Sequence, residues 1–327
     1  MEIEVTHQFT DEVKRELLGH WGLSLEDASF IGGFENFVFE VKYGDGSAIF
    51  RVSHGSHRNA DAIRDELAFM QHVRGFGVRT PDAILTAGGA LLASTGHSEN
   101  DFHAVLFEKA PGRPPTAADF GPKLCRAWGK ATGAMHRSIA SMPAMPARPA
   151  WYEDDLVVKA FHYLPESMTE HRRQFTALTE RMHAWPTTPD IYGLIHSDLH
   201  NNNFFLHEGQ LTAFDFDDAN YHWLANDIAI PLLYSATRLK GDLSNDEYAE
   251  TFLRWFLEGY RTEYDLPASE FDRIPDLIRF RELILVVVLY KKFGPGRFEE
   301  SLLDLLNKVN HRIENDIPVF NLPKGLW

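Results

Sequence analysis

The chain has 327 residues, 44% of them hydrophobic and 13% aromatic, with a formal net charge of −15. This composition excludes a disordered chain and leaves room for two domains, or two lobes, each with its own core. The acidic balance argues against nucleic-acid binding, which needs clustered Lys and Arg, and its field favours cationic ligands.

Cys125 is the single cysteine, so no internal disulfide forms and a reducing cytoplasm fits best. It falls in the helical-looking KLCRAWGKATGAMH and reads as a small core residue. The opening MEIEVTHQFTDEVKREL lacks the basic and apolar regions of a signal peptide. The longest aliphatic run, Leu283 to Tyr290, is too short to span a bilayer. A cytoplasmic protein without a membrane role is expected.

A short amphipathic helix is predicted around Asp11 to Leu18. In SFIGGFENFVFEVKYGDGSAIFRVS, Phe37, Phe39 and Val41 alternate with Val38, Glu40 and Lys42, and YGDGS supplies turn residues, so two strands in a hairpin are expected. NADAIRDELAFMQHVRGFG then switches to helical spacing, with Ile63, Leu67, Met70 and Val73 on one face. Two strand-like runs follow, AILTAGGALLAS and FHAVLFEKA, and the Pro- and Gly-rich PGRPPTAADFGP marks a break. Beyond it the patterns are mainly helical: 123–138, 166–184, 227–239, 246–264, 268–293 and 296–313. The expected architecture is α+β, with a β-rich N-terminal lobe over 1–110 and a helical lobe over 111–327 that carries one β-hairpin.

That hairpin lies in LIHSDLHNNNFFLHEGQLTAFDFDDAN, residues 194–220, the most unusual stretch of the chain. His196, Asp198 and Asn203 form H-x-D-x-x-x-x-N, and Asp215 opens D-F-D after the hairpin. Phosphoryl transfer needs these residue types. One carboxylate orients an attacking hydroxyl, while an amide oxygen and a second carboxylate hold magnesium on nucleotide phosphates. The spacing from Asp198 to Asn203 matches the catalytic loop of protein kinases. Asp215, following the apolar LTAF, is expected at a buried strand end, where a carboxylate requires a partner.

With HSDLHNNN, FDFDD and NDIA in this order, the chain resembles the aminoglycoside phosphotransferase and choline kinase-like enzymes, whose fold is that of protein kinases. The likeness runs from about Ile31 to Ala229, and Ser197 departs from the usual Gly. It implies an ATP- and magnesium-dependent kinase that phosphorylates a hydroxyl of a small molecule in a cleft between two lobes. Asp198 would be the catalytic base, Asn203 and Asp215 the metal ligands, and Asp227 the support of the catalytic loop. In the N-terminal lobe, Gly32 and Gly33 allow close approach to phosphates. Arg51 stands where protein kinases use a lysine, with Glu66 as its ion-pair partner. Backbone groups of Phe107, Glu108 and Lys109 would read the adenine edge. His136 closes a helix as in the family and is expected to pack structurally.

Two other readings remain at this level. One is a catalytically silent nucleotide-binding regulatory module. The other is a metal-dependent hydrolase using His196, Asp198 and His200, which leaves Asn203 and the D-F-D unexplained. The acceptor is not named by any motif. Asp217, Asp218 and the WYEDD segment, Trp151 to Asp155, suggest a cationic acceptor, since an ammonium gains from carboxylates and aromatic faces. ATP against GTP and the oligomeric state are not written in the sequence.

Overall fold

The computed structural model describes residues 3–96, 100–145, 147–295 and 298–322. The chain divides into two compact units. One comprises Met1–Gly75, Arg79–Pro111 and Met145–Ala147; the other comprises Phe76–Val78, Gly112–Ala144 and Arg148–Trp327.

In the first unit, α1 (Ile3–Gln8) and α2 (Asp11–Gly19) precede three antiparallel strands, β1 (Ala28–Gly32), β2 (Phe37–Tyr43) and β3 (Gly46–His54). Gly44 and Asp45 close a two-residue turn between Tyr43 and Gly46, with Gly44 at φ 57°. Phe37, Phe39 and Val41 are buried, as their alternation predicts, and pack with Leu17, Leu18, Phe50 and Val52. Helix α3 (Ala60–Arg74) starts at Asn59, whose side chain accepts from the Ala62 N–H. It buries Ile63, Leu67, Met70 and Val73, and also Glu66.

The run AILTAGGALLAS forms less strand than expected. It contributes only β4 (Ala83–Ile84) and β5 (Ala93–Ser94), both paired with β6 (Phe102–Glu108). Between them the backbone turns back on itself. Thr86 accepts the Gly89 N–H on its carbonyl and the Ala90 N–H on its hydroxyl, which breaks the extended chain. The sheet order is β1-β2-β3-β6-β4, with β5 on β6.

The second unit opens with α4 (Pro122–Ser138), then the short α5 (Asp155–Val158) and α6 (Ala160–Tyr163), and α7 (Thr169–His183). Strand β7 (Tyr192–Ile195) leads into the HSDLHNNN loop, and β8 (Phe204–His207) and β9 (Gln210–Ala213) form the expected hairpin. Strand β10 (Asn220–Trp223), unforeseen, pairs with β7. Helices α8 (Asn226–Leu239) and α9 (Asn245–Tyr260) follow. The predicted helix 268–293 is two, α10 (Ala268–Phe271) and α11 (Ile274–Phe293), because Pro275 restarts the chain in the first turn of α11. Helix α12 (Glu300–Glu314) begins later than predicted, and Gly296 lies outside the described residues. Among the described residues no helix is long and apolar enough to cross a membrane.

Helices α4 and α9 cross at backbone contact. A Cβ on Gly129 would lie 1.9 Å from the Phe256 carbonyl oxygen, and one on Gly259 would lie 2.0 Å from that of Arg126. This approach seats Trp128 edge-on to Phe204 and Phe252, and its Nε1 donates to the Leu199 carbonyl at 3.2 Å. The crossing thus reaches the HSDLHNNN loop directly. Gly129→Ala should destabilise the protein by about 3 kcal/mol, because backbone cannot give way as a side-chain end can. Gly19→Ala, which meets open space, should change stability by less than about 0.5 kcal/mol. Urea unfolding of the two variants checks this.

Candidate active site

The loop after β7 is held from below by one buried carboxylate. Asp227, in the first turn of α8, accepts the N–H of His196 at 3.0 Å and of Ser197 at 2.8 Å. On its other side stands His136 Nε2 at 3.5 Å, and His136 Nδ1 lies 2.7 Å from the Tyr260 hydroxyl. Burial opposes charge on Asp227, but His136 and the loop N–H groups outweigh it, and the pKa is lowered. The carboxylate is therefore ionised at neutral pH.

Ser197 adopts φ 63°. The small residue at this position answers a demand for left-handed backbone, which costs a residue with a Cβ about 1 kcal/mol. Its hydroxyl compensates by donating to Asn220 Oδ1 at 2.8 Å. His196 is buried with both ring nitrogens engaged: Nδ1 accepts the Asp198 N–H at 3.3 Å and Nε2 donates to the Phe214 carbonyl at 3.2 Å. Burial lowers its pKa. A neutral ring with both nitrogens committed does not ligate a metal, so the hydrolase arrangement fails at its first residue.

Asp198 is largely buried and gripped on both oxygens. Asn203 Nδ2 donates to Oδ2 at 2.9 Å and to the Asp198 carbonyl at 2.8 Å. His200 Nε2 stands 3.4 Å from Oδ2, and burial pulls its pKa down to about 4. Burial pushes the Asp198 carboxyl up to about 7; Arg281 counters the rise and Asp218 adds to it. Because Asn203 spends its amide nitrogen on Asp198, its Oδ1 is the amide atom suited to a cation.

The hairpin brings Asn203 and Asp215 to one end. Phe204 pairs with Ala213, and one residue further the Phe214 N–H donates to the Asn203 carbonyl at 2.9 Å, so Asp215 follows directly. The expected burial of Asp215 is not what the structure has. Strand β9 stops at Ala213, and Asp215 turns out to an exposed position at φ 65°. Arg148, buried, clamps the turn that follows by donating to the carbonyls of Phe216 at 3.2 Å and Asp217 at 2.6 Å. Asp217 is buried and Asp218 exposed.

In the first unit, Gly32 and Gly33 both have φ 131°. A Cβ on Gly33 would lie 1.9 Å from the Asn36 carbonyl oxygen, so this loop excludes any side chain there. Arg51 and Glu66 form a buried two-pronged ion pair, Nη1 to Oε1 at 2.7 Å and Nη2 to Oε2 at 2.6 Å. Phe107 and Glu108 end β6, and Lys109 Nζ pairs with Glu40 at 2.7 Å. The Glu108 N–H already donates to the Asp82 carbonyl at 2.8 Å.

Residues 27–266 match the model of the phosphotransferase enzyme family. The chain belongs to that family. It is 30% identical over 316 residues to the amicoumacin kinase of Bacillus subtilis (strain 168), covering 94% of this chain and 93% of the relative. A homoserine kinase of Gluconobacter oxydans (strain 621H) is 28% identical, with 75% of each chain covered. An amicoumacin kinase solved in complex with AMP-PNP, Ca2+ and Ami superposes with a TM-score of 0.90 at 29% identity, covering 99% of this chain and 98% of that one. The activity is accordingly ATP-dependent phosphorylation of a small molecule.

Within this phosphotransferase, the sequence reading missed what α8 and α11 add to the loop. Arg281 of α11 donates from Nη2 to Asp198 Oδ1 at 2.7 Å and from Nε to the Tyr234 hydroxyl at 2.9 Å. Arg238 Nη1 donates to Asn202 Oδ1 at 2.7 Å. The one available signal was a set of charges, Arg279, Arg281 and Glu282, directly before the aliphatic run Leu283 to Leu289. The WYEDD segment, in contrast, is spent on local structure. Trp151 is core, packed on Trp223 and Phe280. Glu153 accepts the Ala150 N–H, Asp154 caps α5, and Asp155 pairs with Lys159 and Tyr163.

Asp227→Ala should remove about 3 kcal/mol of stability, since two buried N–H groups lose their acceptor. Denaturant unfolding measures the loss, and turnover should fall with it as the loop loosens.

Proposed function

We propose that this phosphotransferase moves the γ-phosphoryl group of Mg-ATP to a hydroxyl of a small amine-bearing acceptor in the cytoplasm. The acceptor oxygen bonds the γ-phosphorus while the bond to the β,γ-bridging oxygen breaks, and ADP leaves with that electron pair. The hydroxyl proton passes to Asp198 and then to solvent. The observation that carries this reading is the grip on Asp198, a carboxylate oriented by Asn203 and poised near neutrality.

Asn203 Oδ1 and Asp215, hard oxygen donors at one end of the hairpin, fit magnesium, and this arrangement leaves most of the ion's coordination to phosphates and water. When bound, the ion neutralises charge on the phosphates. Arg51, fixed by Glu66, steadies phosphate oxygens, and the Gly32–Gly33 loop lets backbone approach them. Backbone of Phe107 to Lys109, other than the Glu108 N–H, takes the adenine. For the acceptor, similarity to the B. subtilis relative supports amicoumacin as the first compound to try. Asp218, exposed and close enough to Asp198 to raise its pKa, replaces the WYEDD acids as the partner of an amine.

Asp198→Asn should lower turnover about a hundredfold and leave Mg-nucleotide affinity unchanged, whereas Asp215→Ala should abolish the tightening of ATP binding by magnesium. Calorimetric titration of ATP with and without magnesium, run beside turnover, checks both. Near-normal turnover of Asp198→Asn rejects the assignment of the base. For the acceptor, hydroxyl compounds matched with and without an amine are compared at low and high salt. Amine-bearing ones should be used more efficiently, by a margin that shrinks with salt and in Asp218→Asn; a preference for neutral compounds at both salt levels refutes the amine.

A further inference from the structure

The carboxylate that faces the acceptor is held by a residue from far down the chain. Arg281 reaches Asp198 Oδ1 at 2.7 Å while Asn203 holds Oδ2 at 2.9 Å, so the two donors fix the plane of the carboxylate. The guanidinium is itself fixed. Its Nε donates to the Tyr234 hydroxyl, and its carbon stands 5.3 Å from the centre of the Tyr234 ring. Tyr234 lies seven residues after Asp227, two turns along α8 and on the same face. The turn of α11 is fixed next door, where Glu282 is buried between Arg279 at 3.1 Å and Arg312 of α12 at 2.7 Å.

We propose that Arg281 is a positioning residue for phosphoryl transfer, acting through Asp198. This rests on Asp198 being the group that orients the acceptor. With Arg281 present, one carboxylate orientation is populated. Without it, Oδ1 loses its donor and the carboxylate turns about its remaining bond to Asn203. A misplacement of about 1 Å at a reacting group costs on the order of a hundredfold in rate.

The test is a double-mutant cycle on the full chain with Mg-ATP, using amicoumacin as acceptor and, in its absence, water, read as ADP release. Arg281→Met, which keeps the aliphatic stem, should lower turnover about thirtyfold or more, leave the KM for ATP unchanged, and melt within a few degrees of the parent. Arg281→Lys, which keeps the charge and one donor, should recover part of the loss. In the Asp198→Asn background, Arg281→Met should cost less than about threefold further, because the group it positions is gone. Multiplying losses in the double mutant would overturn the proposal, as would normal turnover of Arg281→Met while Asp198→Asn is inactive. Full activity of Asp198→Asn would instead overturn the reading of Asp198. If Arg281→Met fails to fold, the cycle with Arg281→Lys decides: losses that overlap with Asp198→Asn support positioning, and losses that multiply reject it.

Discussion

The loop after β7 depends on the hydrogen bonds that Asp227 accepts. A carboxylate with no exposure to water is tolerable only if its oxygens are fully used. Here they take two consecutive loop N–H groups, with His136 on the remaining side. With both N–H groups held there, Ser197 takes a left-handed conformation directly before Asp198. His136 is in turn placed by the contact of α4 with α9, where Gly129 and Gly259 let the two backbones meet and Tyr260 supplies a hydroxyl. Residues distant in sequence thus converge on one loop.

Helix α8 then acts as a rail for that loop. Asp227 takes its first residues, Tyr234 stacks edge-on to His200, and Arg238 takes Asn202. These contacts follow one face of the helix in the order of the loop residues they meet. Backbone at the start is held by a buried charge, and side chains further along by partly exposed ones. Asp198 sits where the two regimes meet, which explains a carboxylate buried enough to have a raised pKa and still partly exposed.

Much of this was legible in the residues. The alternation in β2, the apolar face of α3 and the turn at Gly44 predicted their elements because each is set by local spacing. The H-x-D-x-x-x-x-N stretch predicted a loop before the hairpin, and it lies between β7 and β8. What stayed hidden depends on contacts between distant segments. Nothing singles out Arg281 within the predicted helix 268–293, since its partner lies 83 positions away. The acids of WYEDD looked like a ligand surface because capping and pairing with Lys159 do not register in composition. Asp215 was expected to be buried from the apolar run before it, but the strand ends two residues earlier. AILTAGGALLAS carried strand-like residues, and the Thr86 turn overrode them.

The central claim is that Asp198, fixed by its donors, orients the hydroxyl that receives phosphate. The measurement that tests it most directly is a crystal structure of the protein with AMP-PNP, magnesium and amicoumacin. The account predicts one acceptor hydroxyl about 3 Å from an Asp198 oxygen, with magnesium on Asn203 Oδ1 and Asp215. An acceptor whose hydroxyls all lie beyond hydrogen-bonding reach of Asp198, with the ion held elsewhere, would contradict it.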